Sequence, residues 1–380
     1  MANVKLSNVF RRAQTKVDKD DTDLVFYVGG EHIESENIRV HSRGIIVEST
    51  IGPMFYYGFK AGDFLLVSRN PHLKKAGLVD FDGICSEKTF VLETANSDVL
   101  LPEFLPFVLQ NERFWDYAYR HRHGSTNTFI NWSTLANYEF ELPDLETQRK
   151  LAEVLWSIND TMEAYKNLIS ATDELVKSQF MEQFGDPSNN VYGYPVTTLK
   201  EVAVGPLSYG SVSSATEFDG ITRYVRITDI MDDGKLGGDI KSATKTDAKY
   251  LLHEGDILFA RTGATVGKTC RYRENYGRAI YAGFLIRLIP DTTLIDPDYL
   301  YHFTKSDYYW DFVRSAQRVV AQPNINAQEY GDLQILLPKI EAQKSFAAFV
   351  RQSDKSKFEL ERALAELTAT YKRIIAENLG

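Results

Sequence analysis

The residues best placed to do chemistry are Gly263, Gly267, Lys268 and Thr269, in the run Gly-Ala-Thr-Val-Gly-Lys-Thr that follows an apolar stretch. A phosphate-binding loop ends in the same Gly-Lys-Thr. It needs four residues between its glycines to curl the amides around a phosphate, and then a helix whose N-terminus points at it. Here three residues intervene, and Cys270-Arg271-Tyr272-Arg273 reads as strand and turn. Nucleotide hydrolysis is therefore not expected. Ser68-Arg69-Asn70-Pro71-His72 approaches the Asn-Pro-Pro-aromatic pattern that holds a flipped adenine, but lacks the second proline and the aromatic. The seven histidines form no metal-ligand spacing, and Cys85 and Cys270 stand alone, outside any CxxC or Cys/His pattern. No disulfide, no metal and no catalytic site is expected.

The elements that would position these residues are written twice. An offset of 195 carries Asn131 onto Asn326, Leu142-Pro143 onto Leu337-Pro338, and Glu146, Gln148 and Ala152 onto Glu341, Gln343 and Ala347, in one ungapped register that also aligns Gly185 with Gly380. A second echo, Gly62-Asp63-Phe64-Leu65-Leu66 against Gly255-Asp256-Ile257-Leu258-Phe259, has an offset of 193, so short insertions separate the halves. After each proline a long helix is expected, since proline suits a helix entry and not its interior. Leu151, Leu155, Ile158, Met162, Tyr165, Ile169, Thr172 and Val176 step by four and three, the repeat of a coiled-coil seam. The second copy, Phe346, Val350, Ser353, Lys357, Leu360, Leu364, Leu367 and Tyr371, is weakened at Ser353 and Lys357. The two helices are each other's expected partner.

Short β-type runs precede each helix, at 64–68, 89–92, 224–227, 257–260 and 280–289, interrupted by apolar helical stretches at 102–119 and 297–316. The expected fold is therefore α+β: two similar mixed globular parts, each followed by a long helix, with the helices packed as an antiparallel coiled coil. The expected boundaries are 1–143, helix 144–185, 186–338 and helix 339–380, with Asp-Pro-Ser-Asn-Asn at 186–190 as the linker.

The 380-residue chain has 43% hydrophobic and 25% charged residues, the balance of a folded globular protein. It has no apolar run of membrane-spanning length, and Met-Ala-Asn-Val-Lys-Leu at the start is unlike a secretory signal, so a cytoplasmic location is expected. The formal charge of -9 argues at first against nucleic acid. Yet residues 258–287 carry Arg261, Lys268, Arg271, Arg273, Arg278 and Arg287 against Glu274 alone. A second cluster, Arg113, Arg120, His121, Arg122 and His123, sits beside Trp115, Tyr117 and Tyr119. Charge alone fits solvated faces equally well.

These features together resemble the specificity subunit of type I restriction-modification enzymes. In that family a target-recognition domain contains a Gly-Asp-Ile-Leu-apolar-Ala-Arg-Thr-Gly stretch and a Val-Gly-Lys, as at 255–263 and 266–268 here. It ends in Gln-x-Asn-Ile-Asn, an apolar-Pro turn and Glu-x-Gln, as at 322–326, 337–338 and 341–343. The first half departs from this, with Val67-Ser68-Arg69-Asn70 and Asn127-Thr128-Phe129-Ile130-Asn131 at the corresponding places.

The resemblance implies a non-catalytic subunit that reads double-stranded DNA as a bipartite, asymmetric target through two target-recognition domains. It further implies two adenine methyltransferase subunits that bind S-adenosylmethionine and two translocating nuclease subunits that use ATP and Mg, with no cofactor in this chain. Base readout favours cationic and amide side chains on loops near the repeat motifs. The candidates in the first half are Arg69, Asn70, His72, Lys74, Lys75, Arg120, Arg122, Ser125 and Asn127. In the second they are Tyr209, Ser211, Arg261, Thr262, Lys268, Arg271, Arg273, Arg318, Gln322 and Asn324. Asn131 and Asn326 recur in both halves and suit a structural role. The alternative is a coiled-coil scaffold or adaptor without DNA readout.

Overall fold

The computed structural model describes residues 2–317 and 324–379. The chain folds into two compact units, Met1–Lys166 with Arg362–Gly380, and Asn167–Glu361. Each unit takes in parts of both long helices.

In the first unit, strand Ala2–Lys5 pairs antiparallel with Glu139–Leu142. A four-stranded sheet runs in the order Phe10–Ala13, Thr89–Thr94, Phe64–Val67, Ala76–Leu78. A second sheet places Phe26–Val28 parallel to Gly83–Ser86. The second unit repeats the plan. Val196–Thr198 pairs with Gln334–Leu336, the four-stranded order is Ser208–Tyr209, Leu285–Leu288, Ile257–Ala260, Thr269–Arg271, and Arg223–Val225 runs parallel to Ala279–Tyr281. Both central strands, Phe64–Val67 and Ile257–Ala260, are buried at every position, which explains their unbroken apolar runs.

The Gly-Asp echo forms the turn that launches these strands. Gly62 and Gly255 adopt φ +96 and +89, a backbone open to glycine. The Asp63 and Asp256 carboxylates then accept the Lys60 and His253 amides at 2.7 Å.

The long helices span Leu145–Phe184 and Ile340–Leu379. In the first unit the start of the first helix, at Ala152 and Leu155, shares a core with the end of the second, at Tyr371, Ile375 and Leu379. In the second unit Val176, Phe180 and Phe184 share a core with Phe346 and Val350. The pairing is antiparallel. Lys357, the odd charge in the seam, bonds the Asp173 carboxylate at 2.6 Å and is largely buried.

Their entries explain why Glu-x-Gln repeats. Gln148 and Gln343 are fully buried. Gln148 accepts the Leu101 amide at 2.9 Å and donates to the Val99 and Pro143 carbonyls at 2.8 Å. Gln343 accepts from Asp296 at 2.8 Å and donates to Leu294 and Pro338 at 3.1 and 2.8 Å. One amide thus ties each helix entry to the preceding loop, and no apolar residue could replace its three bonds.

Three expected elements are broken in two. The 280–289 stretch turns at Gly283, so Ala279–Tyr281 pairs with Arg223–Val225 while Leu285–Leu288 joins the four-stranded sheet. The 102–119 stretch divides into Leu105–Val108 and Glu112–Arg120, because Asn111 caps the second helix by accepting the Arg113 amide at 2.9 Å. The 297–316 stretch divides into Pro297–Phe303 and Asp307–Gln317, where the Thr304 and Ser306 hydroxyls bond back to the Tyr301 and Phe303 carbonyls.

Candidate nucleic-acid interface

The strand that follows each Gly-Asp turn ends in a loop held mainly by backbone bonds, joined by the Ser68 hydroxyl on the Lys88 carbonyl at 2.7 Å in the first unit. In the first unit the Ser68 amide donates to the Lys88 carbonyl at 2.8 Å, the Ile130 amide to the Ser68 carbonyl at 2.9 Å, and the Asn70 amide to the Thr128 carbonyl at 2.7 Å. In the second unit the Arg261 amide donates to the Phe284 carbonyl at 3.1 Å and the Ile325 amide to the Arg261 carbonyl at 2.9 Å, while Thr262 bridges Asn324. The two frames match. Ser68 stands where Arg261 stands, Lys88 where Phe284 stands, and Phe129 where Asn324 stands.

Onto the first frame the fold gathers Arg69, Asn70, His72, Arg122, Ser125 and Asn127. His123 and Phe129 exchange backbone bonds at 2.7 and 3.0 Å, which leaves Ser125 and Asn127 exposed at a hairpin tip. The Arg122 guanidinium lies 3.7 Å from the centre of the Tyr119 ring, and His72 meets that ring edge-on at 6.4 Å. Arg69, Asn70, Lys75 and Lys88 line an open cleft of about 530 Å³ with Glu31 and Glu87. Arg120 is exposed on the last turn of Glu112–Arg120.

Other first-half candidates are already engaged. The Lys74 ammonium bonds Glu112 at 2.7 Å and Glu36 at 3.0 Å. Burial pulls this ammonium down, but the two carboxylates outweigh it and hold it above the ordinary lysine value. Lys75 donates to the Gly30 carbonyl at 2.6 Å.

Onto the second frame come Tyr209, Arg261, Thr262 and Asn324. The Arg261 guanidinium lies 4.8 Å from the Tyr209 ring centre, and the Tyr209 hydroxyl accepts the Ala327 amide at 3.0 Å. Asn326 caps the short helix Ala327–Gly331 by accepting the Gln328 and Glu329 amides, both at 2.9 Å, a structural role. Asn131 holds the same place before Trp132–Leu135, but its side chain makes no capping bond there. Arg318 and Gln322 lie outside the described residues.

Arg271, Arg273 and Lys268 are held elsewhere. Arg271 lies 3.1 Å from Asp298 and 3.2 Å from Glu254, and Arg273 lies 3.2 Å from Asp354. Burial pushes the Asp298 carboxyl above the usual range, and the Arg271 and Arg273 guanidiniums pull it back. Arg287 is buried against Asp256 at 2.7 Å. The basic excess counted over 258–287 is thus partly neutralised by carboxylates from outside that window. Lys268 pairs with Asp232 at 2.6 Å and is followed by strand Thr269–Arg271, with only a 3-10 turn, Gly263–Thr265, before it. Among the described residues Lys268 is followed by a strand and not by a helix N-terminus, so the phosphate-loop reading has no geometry behind it. Ser211 is buried, its hydroxyl bonded to Ser213 at 2.9 Å.

The family model described as "Type I restriction modification DNA specificity domain" matches residues 3–171 and 195–368, once for each repeat. The chain belongs to that family. A stretch of 132 residues is 26% identical to the type I restriction enzyme HindI specificity subunit of Haemophilus influenzae, covering 33% of this chain and 28% of that relative's length. The fold is similar to the S subunit of a type I restriction-modification system from M. genitalium, with TM-score 0.61, 14% identity, and 100% and 96% of the two chains covered. It is also similar to a chain from a structural study of complex assembly and conformational transition of the type I R-M system, with TM-score 0.56, 20% identity, and 99% and 97% covered.

As a type I specificity subunit the chain has a DNA sequence-specificity role and is not itself the catalytic component. Among the described residues no cluster of His, Cys, Asp and Glu could hold a metal ion, and no helix is long and apolar enough to cross a membrane. Both thiols are buried, and burial pushes Cys85 and Cys270 up to about 12. Sequence reasoning missed Lys88 and Phe284, the cross-strand neighbours of Ser68 and Arg261. Their signal lay in the strand pairing, which single-sequence motifs do not carry.

Proposed function

We propose that this specificity subunit reads a bipartite, asymmetric DNA target, one half-site for each globular part, and so directs adenine methylation and restriction by partner subunits. The observation that carries the reading is the pair of equivalent backbone frames with different side chains: Ser68, Arg69, Asn70, Lys88 and Phe129 on one, Arg261, Thr262, Gly263, Phe284 and Asn324 on the other. A common frame with unlike contact residues suits two readers of unlike sequence. A symmetric dimer would present the same residues twice and read a palindrome.

The reading residues are Arg69, Asn70, His72, Arg122, Ser125 and Asn127 in the first reader, and Tyr209, Arg261, Thr262 and Asn324 in the second. Arginine suits guanine edges and asparagine suits adenine. Two methyltransferase subunits that bind S-adenosylmethionine and two ATP- and Mg-dependent translocating nuclease subunits complete the cytoplasmic assembly. Their duplex-clamping surfaces would supply phosphate contacts, which leaves room for a reader of net charge -9. Each long helix has 40 residues, about 60 Å of helical rise, and this length sets the unread gap between half-sites.

Selection from a random duplex pool by the subunit reconstituted with its methyltransferase tests the reading. Two unlike sequence blocks at a fixed separation are expected. A single block, a palindrome or no enrichment overturns it.

A further inference from the structure

The end of the central strand in the second unit carries a side chain that its fold does not use. Ala260 pairs with Leu285, the last pair of the ladder, and one step beyond it Arg261 and Phe284 stand opposite each other, joined by a single bond from the Arg261 amide to the Phe284 carbonyl at 3.1 Å. Directly opposed residues in an antiparallel pair project to the same face. Tyr209, opposite Ile286, lies on that face as well, which is why the Arg261 guanidinium reaches its ring. Phe284 is 60% exposed there, and Val212, which follows the residue whose carbonyl accepts the Gly283 amide at 2.7 Å, is 96% exposed.

A lone exposed apolar side chain would mean little. Here two flank one turn at the reader face, and the turn is held by backbone bonds from the Gly283 and Arg261 amides rather than by the side chain at 284. The equivalent residue of the first unit is Lys88, opposite Ser68. The cross-strand pair therefore reads Ser68 with Lys88 in one unit and Arg261 with Phe284 in the other. The two readers differ in chemistry at a place where their frames agree.

We infer that Phe284 is a specificity-determining residue of the second reader and makes apolar contact with the 5-methyl group of a thymine in the major groove. This rests on the DNA-reading function proposed above. A phenyl ring can pair with no donor or acceptor on a base edge, and the thymine methyl is the apolar feature that the major groove displays. Wedging between base steps belongs to minor-groove binders. The adjacent Arg261 supplies the hydrogen-bonding partner for a neighbouring guanine.

The test uses the subunit reconstituted with its methyltransferase, on the duplex that the wild-type complex selects. Each thymine of the second half-site, on either strand, is replaced in turn by deoxyuridine, which removes the methyl alone. The wild type is expected to lose about fourfold in affinity at one such position, one methyl's worth of burial. Phe284→Ala and Phe284→Lys, checked for an unchanged Tm, are expected to bind both duplexes equally, with first half-site discrimination intact. Indifference of the wild type to every replacement overturns the inference, as does retention of the methyl preference by both variants. So does an equal loss by Phe284→Ala on all sequences, the mark of a wedge. A wild-type complex that selects no sequence overturns the DNA-reading proposal itself, whereas a selective complex indifferent to the methyl overturns this inference alone.

Discussion

Arg261 and Arg271 belong to one basic stretch, yet their surroundings give them different work. Arg261 rests on the Tyr209 ring at the open end of a strand. Arg271 is 11% exposed and faces Asp298, which is 2% exposed. Removing one member of a buried ion pair strands the other charge. Arg271→Ala is therefore expected to cost about 3 kcal/mol of stability, seen as a lower Tm of the reconstituted complex. Arg261→Ala is expected to leave the Tm unchanged and to cost about 1–3 kcal/mol of discrimination at the second half-site. Equal thermal stability of the two variants would reject this division. The sequence displayed both arginines but not their partners, since Glu254 and Asp298 lie outside the basic run at 258–287.

Among the elements, legibility followed the kind of bond each position makes. The helix entries were readable because Gln148 and Gln343 use side-chain amides, which only glutamine at that position can supply, and the fold writes them twice. The reader loops of the first half were not, because most of their frame is main-chain bonding, and the demands it does make, a Ser68 hydroxyl on the Lys88 carbonyl at 2.7 Å and a left-handed backbone at Asn70, are met by residue types other than the Arg-Thr-Gly of the second half. The first half therefore lacks the Arg-Thr-Gly run yet keeps its geometry. The 280–289 run read as one strand because both of its parts are buried, and nothing in its apolar pattern marks the change of sheet at Gly283. Gln343→Leu is expected to leave the Leu294 and Pro338 carbonyls and the Asp296 amide without their partner, at a cost on the order of 3 kcal/mol by denaturant unfolding. A loss below about 0.5 kcal/mol would remove the amide from its tying role.

At the scale of the whole molecule the long helices carry the repeat and, in the proposed function, the spacing of the target. Four residues inserted into each helix, at matching points of the seam, add about 6 Å of rise, close to two base pairs of duplex. The expected result is a target with the same two half-sites and a longer unread gap. Methylation at the original gap would show that helix length does not set it.

The central claim is that one chain gives a modification system its sequence. Mapping of methylated adenines across the host genome, with and without the gene for this subunit, tests it directly. The expected result is an asymmetric two-part motif, methylated in the parent and unmethylated in the deletion strain. A methylation pattern that survives the deletion unchanged would contradict the account.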